Sequence, residues 1–333
     1  MRNFVLTYLF ITAFVGVASA QFFNKNKWED NRHQLRFGVG ACNFLGDLGG
    51  KDAVGTNDFQ DLELVHTRLG AFIGYKYTLY KKLHVRGDFY WGQFSGSDDT
   101  TDEIFRRNRN LHFKTHLFEL SAQLEFEIPI NFRKGHIYDI KGAKGWKNGG
   151  SSLYISAGIA AFRYNPQAKI DGQWVDLRPL RTEGQGLPGG AEEYGYYSWG
   201  IPLGVSLTKR ISHQVSLGIE AAYRYTFTDY IDDVSTVYYN PDDIALYVGG
   251  QEGEIAGYLS NPSLGLAQDG LKPIVTAPGQ QRGDAEDDDG YMFLMATCHV
   301  LLSDNSYSSN KFSSKKRRYK PRNRGGKRKR IIF

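Results

Sequence analysis

The sequence predicts an all-β fold, an eight-stranded antiparallel transmembrane β-barrel of the outer-membrane type with long extracellular loops and a basic periplasmic C-terminal tail. Eight segments alternate apolar and polar residues with a period of two, the pattern of strands whose two faces meet different surroundings. These segments are about 10 to 12 residues long, whereas soluble strands average about 5 to 6 and a tilted membrane strand needs about 9 to 11. The composition, with 21 Tyr, 21 Phe and 38 Gly, is typical of such barrels.

The N-terminal residues predict export. Arg2 precedes an apolar stretch from Phe4 to Val17, and Ala18-Ser19-Ala20 fits a cleavage site for a signal peptidase. We therefore expect the mature chain in the outer membrane of a Gram-negative bacterium. The predicted organisation is a signal peptide over residues 1–20, an N-terminal segment over 21–33, the barrel over 34–302 and a basic, flexible periplasmic tail over 303–333.

The third segment shows the pattern most clearly. Phe89 and Trp91 share one face with Leu83 and Val85, so we expect this face to contact lipid. The eighth segment has apolar residues on both faces, which leaves its orientation open. The predicted strands are, in chain order, Gln34–Phe44, Thr67–Leu79, Lys82–Phe94, Leu117–Ile128, Ser151–Phe162, Gly200–Lys209, Val215–Thr226 and Tyr291–Leu302.

The connections between these segments alternate in length. Tight links occur around Lys81 and at 210–213, whereas the other connections are long and polar, which is the arrangement of a membrane barrel with outward-facing loops. The link 129–150 is an exception, since it lies on the short-turn side. The long connections are 46–65, 95–116, 165–194 and 229–290.

The polar faces predict a plugged interior. A barrel of eight strands is only wide enough inside for side chains, so charges of both signs would pair there and exclude a diffusion pore. The predicted ion-pair plug consists of Arg36, Arg68, Arg86, Asp88, Glu119, Glu125, Glu220 and Arg224.

Neither a catalytic nor a cofactor motif occurs in the sequence, which contains no nucleophile elbow, Walker loop, HExxH or CxxC. His112 and His116 would lie about 13 Å apart on a strand, too far to share a metal ion. The acidic run Asp284–Asp289 lacks the ligand order of a calcium loop and is predicted to be a solvated loop. The stretches Tyr230–Val234 and Tyr238–Asn240 form either a short ordered cap over the barrel mouth or ordinary loop. We expect no enzymatic activity and no cofactor.

Basic residues concentrate in two elements predicted to be periplasmic. Residues 311–330 contain twelve Lys or Arg and no acid, among them Lys315, Lys316, Arg317 and Arg318. Nucleic-acid binding is not expected for an exported chain, which leaves a functionless flexible tail or an electrostatic tether to an acidic partner or the cell wall. The link 129–150 favours a partner because it is also basic. Its cations are Arg133, Lys134, Lys141, Lys144 and Lys147.

The two cysteines are predicted not to bridge. Strands 1 and 8 would be antiparallel neighbours in which Cys42 and Cys298 lie about four to six residues out of register, beyond the roughly 7 Å limit between Cα atoms. Cys298, nearer the periplasm, is a candidate for an intermolecular disulfide, or else it is a buried, inert thiol.

Three stretches resemble the PorG-like family, outer-membrane β-barrel proteins of the type IX secretion system of the Bacteroidota. They are "FQDLELVHTRLGAFIGYKYTLYKKLHVRGDFYWG", "RNRNLHFKTHLFELSAQLEFE" and "YRYTFTDYIDDVSTVYYN", the last being the most specific. The resemblance implies a non-enzymatic component that ties a periplasmic ring, built from PorK and PorN, to the outer membrane. It also implies, as a hypothesis, a disulfide from Cys298 to the ring lipoprotein.

Three other functions remain open at this point. The first is an OmpA-like small barrel that stabilises the outer membrane, or a narrow channel. The second is a barrel enzyme at the outer surface, for which Asp88 alone does not supply an acid pair. The third is a secreted β-sandwich, whose strands would bury Phe89 and Trp91 against a second sheet.

Overall fold

A computed structural model describes residues 32–48, 66–80, 82–101, 103–130, 151–212, 214–266 and 275–302. These residues form one antiparallel sheet of ten strands and three short helices. The strands are β1 His33–Leu45, β2 Arg68–Tyr80, β3 Leu83–Ser97, β4 His112–Pro129, β5 Ser151–Arg163, β6 Pro166–Ile170, β7 Gln173–Asp176, β8 Tyr197–Arg210, β9 Val215–Thr226 and β10 Gly290–Leu302. The helices are α1 Ile104–Arg109, α2 Pro241–Val248 and α3 Gly250–Ser260.

Eight of the strands close into a barrel, as predicted. Each barrel strand pairs with the next one along the chain, and β1 pairs with β10 to complete the ring. Closure leaves no open sheet edge, so every strand can satisfy its backbone N–H and C=O groups within the protein, as a hydrocarbon environment demands. The protein is therefore an eight-stranded antiparallel barrel of the outer-membrane type.

The two ends of the barrel differ in their connections. At the turn end, β2 and β3 are joined across residues 81–82, and β8 and β9 across 211–214. The opposite end, the loop end, carries the connections 46–67, 98–111, 164–196 and 227–289. The alternation of short and long connections predicted from the sequence is confirmed, as is its exception, since the long link between Pro129 of β4 and Ser151 of β5 joins strand ends at the turn end.

The outward face of the barrel is apolar and exposed. Leu120 is 65%, Ile159 is 64% and Val39 is 61% exposed, whereas the charged Asp88 on the inward face of β3 is 1% exposed. Such a surface is unstable in water but suits acyl chains, and it confirms the prediction that Phe89 and its neighbours on β3 face outward. No second sheet covers these residues in the described chain, so the β-sandwich alternative is wrong.

Several strands extend further toward the loop end than the sequence pattern indicates. The strand β4 begins at His112 rather than Leu117, and β3 ends at Ser97 rather than Phe94. The extended part is held from inside by aromatic packing, with the rings of Phe44 and Phe113 centred 4.8 Å apart. Tertiary packing of this kind has no signature in the period-two pattern.

A hairpin that the analysis of the sequence missed extends the sheet at the loop end. Strands β6 and β7 pair with each other. Strand β6 also pairs antiparallel with the loop-end part of β4, where Gln167 lies opposite Lys114. Asp171 and Gly172 form the two-residue turn with φ values of 48° and 84°. Asp-Gly is the preferred sequence of a turn with two positive φ angles, so this signal was present in the chain.

Two helices form a small separate core with the strands of this hairpin. The helix α2 begins at Pro241, and the side chain of Asn240 caps it by accepting a hydrogen bond from the N–H of Asp242 at 3.1 Å. Ile244 of α2 and Leu259 of α3 are buried in this core beside the loop residue Leu180. In the described segments, no helix has the length and apolar content needed to cross a membrane.

Candidate functional site

The barrel interior holds a network of ion pairs centred on Arg36. One of its guanidinium nitrogens, Nη1, donates to both carboxylate oxygens of Asp88 at 2.8 and 2.7 Å, and Nη2 contacts Glu220. All three side chains are at most 1% exposed. They converge because β1, β3 and β9 each place every second residue on the inward face.

Arg86 joins the largest number of partners in this network. Its two terminal nitrogens donate hydrogen bonds of 3.0 and 2.9 Å to the carboxylate of Glu220. This bidentate arrangement fixes the relative orientation of the two side chains in addition to pairing their charges. It also donates to Glu125 at 3.3 Å and to Gln123 at 2.7 Å. Arg86 therefore links carboxylates from β4 and β9 across the barrel.

Lys76 is a member of the network that the predicted plug did not include. Its Nζ donates to Glu125 at 2.6 Å and lies 4.0 Å from the centre of the Tyr154 ring. The sequence places Lys76 on the inward face of β2, so its parity was a sufficient signal. With it, the network among the described residues comprises four cations and four carboxylates. They are Arg36, Lys76, Arg86 and Arg224, paired with Asp88, Glu119, Glu125 and Glu220.

A second layer lies nearer the loop end. Arg224 donates two hydrogen bonds of 2.9 Å to the carboxylate of Glu119, which also accepts one from the Tyr291 hydroxyl at 2.9 Å. The guanidinium of Arg224 lies 4.6 Å from the ring centre of Tyr90 and 4.9 Å from that of Phe293. Stacking on two rings supplies favourable cation–π contacts in place of water.

Arg68 is the one predicted plug residue that the structure does not bring into the network. It is half-buried at the loop-end start of β2, opposite Cys42 in the register, and its Nη1 lies 3.5 Å from the Thr67 carbonyl oxygen. Its place in the two-residue alternation correctly predicted that Arg68 faces inward. Along the barrel axis, however, Arg68 lies closer to the loop end than the charged layers, at the level of aromatic residues. The other seven predicted members lie in the two charged layers described above.

The loop end is closed by a set of loop segments, most of whose residues are buried, that we call the loop cap, comprising 46–48, 182–183, 229–235 and 282–289. Asp233 has a φ of 69°, and its carboxylate accepts hydrogen bonds from the hydroxyls of Thr182 and Tyr194. Arg282 donates to the Asp233 carbonyl at 2.7 Å and to Glu183 at 2.9 Å. The stretch 230–234 is thus an ordered cap, one of the two alternatives that its sequence left open.

Further carboxylates of the loop cap hold backbone N–H groups. Asp232 accepts hydrogen bonds from the N–H of Leu48 at 3.1 Å and of Val234 at 3.0 Å, and Asp289 accepts one from Ile231 at 2.8 Å. The prediction that Asp284–Asp289 is a solvated loop is therefore wrong for Asp289, which is 1% exposed. Its side chain turns inward because the unpaired amide of Ile231 needs an acceptor.

Burial raises the pKa values of several carboxyl groups in the loop cap. The pKa of Asp47 rises to about 6 and that of Asp233 to about 6, in both cases mainly because burial disfavours the charged form. The pKa of Asp229 rises to about 10 through burial and the neighbouring charges of Asp47 and Asp232. The pKa of Asp289 is raised well above its usual range for the same two reasons. This region therefore gains proton affinity on folding.

In the interior, each carboxylate is engaged by a cation, and the described residues include no group of three or more His, Cys, Asp or Glu side chains arranged to hold a metal ion. His112 and His116 both lie on β4, and His112 Nε2 accepts a hydrogen bond from the N–H of Lys169 at 2.9 Å. The arrangement can fill, brace and close the barrel.

Cys298 lies on the outward face of β10, half-buried, opposite Phe37 in the register. Cys42 pairs with Phe293, which places the two cysteines five residues apart in register and confirms that they do not bridge. The other predicted partner-binding residues lie outside the described residues. They are Arg133, Lys134, Lys141, Lys144, Lys147, Lys315, Lys316, Arg317 and Arg318.

Comparison with known families finds a match over most of the barrel. The family model described as a domain of unknown function, DUF6089, matches residues 17–246. The chain belongs to this family. A search of curated proteins finds no match.

Similar solved structures are bacterial outer-membrane barrels. Ail, the attachment invasion locus protein of Yersinia pestis, is 8% identical, with 82% of this chain and 99% of that chain covered and a TM-score of 0.34. Neisserial surface protein A is 9% identical, with 81% and 96% covered and a TM-score of 0.34. The N-terminal barrel domain of Pseudomonas aeruginosa OprF is 8% identical, with 82% and 98% covered and a TM-score of 0.32. Likenesses at this level carry no information about function.

Proposed function

We propose that this DUF6089 protein is a structural, non-enzymatic component of the type IX protein secretion system, which anchors a periplasmic ring of PorK-like and PorN-like proteins to the outer membrane. The observation that carries the proposal is the resemblance of three stretches to PorG-like proteins, the most specific of which includes Tyr230–Val234. In the structure this stretch is part of the loop cap, where Ile231 and Asp233 are fully buried.

The filled interior supports anchoring over transport through the barrel. Arg36, Arg86 and Glu220 meet at the centre and are at most 1% exposed, with aromatic side chains above them. Moving a solute through this layer would separate buried ion pairs, and breaking one such pair costs about 3–5 kcal/mol. A barrel of this kind serves as a rigid membrane anchor.

The turn end supplies charge for a periplasmic partner. Lys82, Lys209 and Arg210 are exposed there, beside the half-exposed Ile211. The link 131–150 joins the paired turn-end termini of β4 and β5 and adds five cations, and the basic tail follows Leu302 of β10. Outer-membrane barrels direct their short-turn side to the periplasm, where these cations would meet an acidic ring surface. We propose in addition that residues 1–20 are removed on export.

The proposal is tested by cross-linking intact cells, capturing this protein and identifying its periplasmic partners with and without reductant. We expect PorK-like and PorN-like proteins in the captured fraction. Replacing Lys141 and Lys144 by Glu should lower their yield about tenfold, since reversing two interface charges costs on the order of 1.4 kcal/mol. Cys298→Ser should remove any species that reductant dissociates.

The matched control reverses two exposed cations at the loop end, Arg107→Glu with Lys169→Glu, which makes the same change in net charge on the opposite side of the membrane. This control should capture the ring proteins as well as the native chain does. Capture of no ring protein from cross-linked cells, or equal loss in both variants, would contradict the anchoring role.

An OmpA-like stabiliser of the outer membrane is the second candidate function. The filled barrel favours it as much as it favours the ring anchor, because both need a rigid plug and neither needs a pore. Deleting the gene distinguishes them. Loss of protein export with an intact envelope supports the ring anchor, whereas leakage of periplasmic contents with normal export supports the stabiliser. Measurable conductance in planar bilayers would instead point to a narrow channel.

A further inference from the structure

A group of exposed and half-buried cations lies on the outer surface of the barrel at the loop end, directly above the apolar band. On β4 the outward side chains run from Leu120 through Phe118 to His116, Lys114 and His112, so the same face changes from apolar to basic along one strand. The strand is 18 residues long, more than a tilted strand needs to cross the hydrocarbon core. The basic part therefore lies at the height of the lipid headgroups.

Neighbouring strands add to this group. Arg163, on β5, pairs with Phe118 of β4 and faces outward. Lys169 is exposed on β6, where its N–H is fixed by His112 at 2.9 Å. The hairpin β6–β7 thus carries a third cation beside Lys114, whose Nζ lies 5.1 Å from the ring centre of Trp174.

These cations differ from those of the interior because carboxylates do not neutralise them. Across the described chain, Lys114, Arg163 and Lys169 have no ion pair, and the outward face of the eight barrel strands carries no Asp or Glu. The β6–β7 hairpin carries two carboxylates, Asp176, which accepts a hydrogen bond from Gln167 at 2.6 Å, and Asp171, which lies in the exposed turn. The patch therefore attracts anions.

Aromatic side chains flank the patch. Trp91 stacks on His116 with ring centres 6.1 Å apart, and Tyr196 lies 4.3 Å from the guanidinium carbon of Arg178 and 5.9 Å from that of Arg163. Tryptophan and tyrosine favour the boundary between hydrocarbon and headgroups, and basic residues at this boundary bind anionic headgroups. Along the barrel surface, the apolar band is followed by aromatic residues and then by cations. A phosphorylated glycolipid has its acyl chains, sugar and phosphate groups in the same order.

We propose that this patch, comprising Lys114, Arg163, Lys169 and Arg178, binds the phosphorylated headgroup of a glycolipid of the outer leaflet, of the lipid A class. The acyl chains lie against Phe118, Leu120 and Ile159, and the phosphates lie between the cations of β4, β5 and the hairpin. The site is separate from the periplasmic anchoring surface, which is at the other end of the barrel.

The test titrates the full mature chain in detergent with bisphosphorylated lipid A, and in parallel with the same lipid after removal of both phosphates, using native mass spectrometry to count bound lipid. The native chain should bind the phosphorylated form about tenfold more tightly or better. The variant with Lys114→Ala, Arg163→Ala and Lys169→Ala should bind both forms equally.

A matched variant removes three cations at the turn end, Lys82→Ala, Lys209→Ala and Arg210→Ala, and should keep the preference of the native chain. Heat-modifiable migration on gels establishes that each variant is folded, and the single change Lys169→Ala, at an exposed hairpin position, serves if the triple variant does not fold. An unchanged preference in the loop-end variants, or its loss in the turn-end variant, overturns the proposal.

Discussion

The barrel interior and the loop cap bury charge in opposite ways. In the interior, the four cations and four carboxylates neutralise one another within hydrogen-bond or ion-pair distance. In the loop cap, carboxylates outnumber the single arginine, Arg282, and many of them hold backbone N–H groups instead of cations. Direct pairing keeps charge stable in a low-dielectric interior, whereas unbalanced burial favours the protonated form. We therefore expect the stability of the loop cap to depend on pH and the stability of the barrel to be insensitive to it.

The largest expected effect follows from breaking the interior network at its most connected residue. Arg86→Met leaves the carboxylates of Glu220 and Glu125 without a major partner, and removing one member of a buried pair costs about 3–5 kcal/mol. Reversible unfolding in urea with lipid vesicles would show this loss as a lower midpoint.

A double replacement sharpens this first result. Arg224→Met combined with Glu119→Leu removes both charges of the second layer and should cost less than Arg224→Met alone, because no buried charge is left unpaired. If the single and double variants are equally unstable, packing and not charge neutralisation determines the stability of the interior.

The pH dependence of the loop cap is the second prediction. A carboxyl group whose pKa is raised from 3.8 to about 6 on folding, as for Asp233, stabilises the folded cap fully below pH 3.8 and loses this contribution as pH rises through 6. The loss is about 3 kcal/mol for one fully buried group, since each pKa unit corresponds to about 1.4 kcal/mol. Hydrogen exchange at the amides of Ile231 and Val234, corrected for the intrinsic rate, should show faster opening at pH 7 than at pH 4.

Asp47→Asn provides the sharper form of this experiment. The substitution removes one of the groups whose pKa is raised and should flatten the change in protection between pH 4 and pH 7. The control Asp287→Asn changes an exposed aspartate of the same loop end and should leave the pH profile as it is. A profile in which protection increases with pH would show that the buried carboxylates are ionised and stabilised by another group.

A smaller effect is expected from the hydrogen bonds of the cap. Asp233→Ala removes the acceptor of the Thr182 and Tyr194 hydroxyls and places a Cβ-bearing residue without a polar side chain at a φ of 69°. We expect the cap to lose about 2 kcal/mol of stability while the urea midpoint of the barrel stays unchanged. Limited proteolysis at the loop end measures the first quantity, and equal sensitivity of barrel and cap would contradict their independence.

The smallest effect concerns the hairpin. Gly172 has a φ of 84° and open space around the position of a Cβ atom, so Gly172→Ala introduces backbone strain without a clash. We expect a cost of about 1 kcal/mol, confined to β6 and β7, which is measurable as faster exchange of the Lys169 amide. A change in the melting temperature of the barrel would show that the hairpin supports the barrel itself.

Different parts of the molecule were predictable from the sequence to different extents. The faces of the barrel strands, the inward position of all eight predicted plug residues and the offset of the cysteines followed from a period of two, since a strand fixes them by local geometry. The same alternation places Lys76 on the inward face, but the predicted plug did not include it. The alternation of residues along a strand shows only which face of the sheet a side chain lies on. The position of Arg68 along the barrel axis, above the charged layers, could therefore not be predicted.

The loop cap was largely beyond sequence reasoning. Asp47 and Asp289 are separated by most of the chain and meet because the loops that carry them fold over the same barrel mouth. The local hint was the Tyr230–Val234 stretch, in which two adjacent acids lie between apolar residues, but its sequence could not show from which N–H groups the acids would accept hydrogen bonds. Long-range partners of this kind are determined by tertiary packing.

The most direct test of the central claim measures what surrounds the outward face of the strands. Single cysteines at Leu120, Leu203 and Gln123, in a background of Cys42→Ser and Cys298→Ser, are spin-labelled in bilayers of reconstituted protein. We predict that labels at 120 and 203 are relaxed by oxygen and shielded from a water-soluble nickel chelate, whereas the label at 123, inside the barrel, is reached by neither. Access of the chelate to positions 120 and 203 would contradict the account.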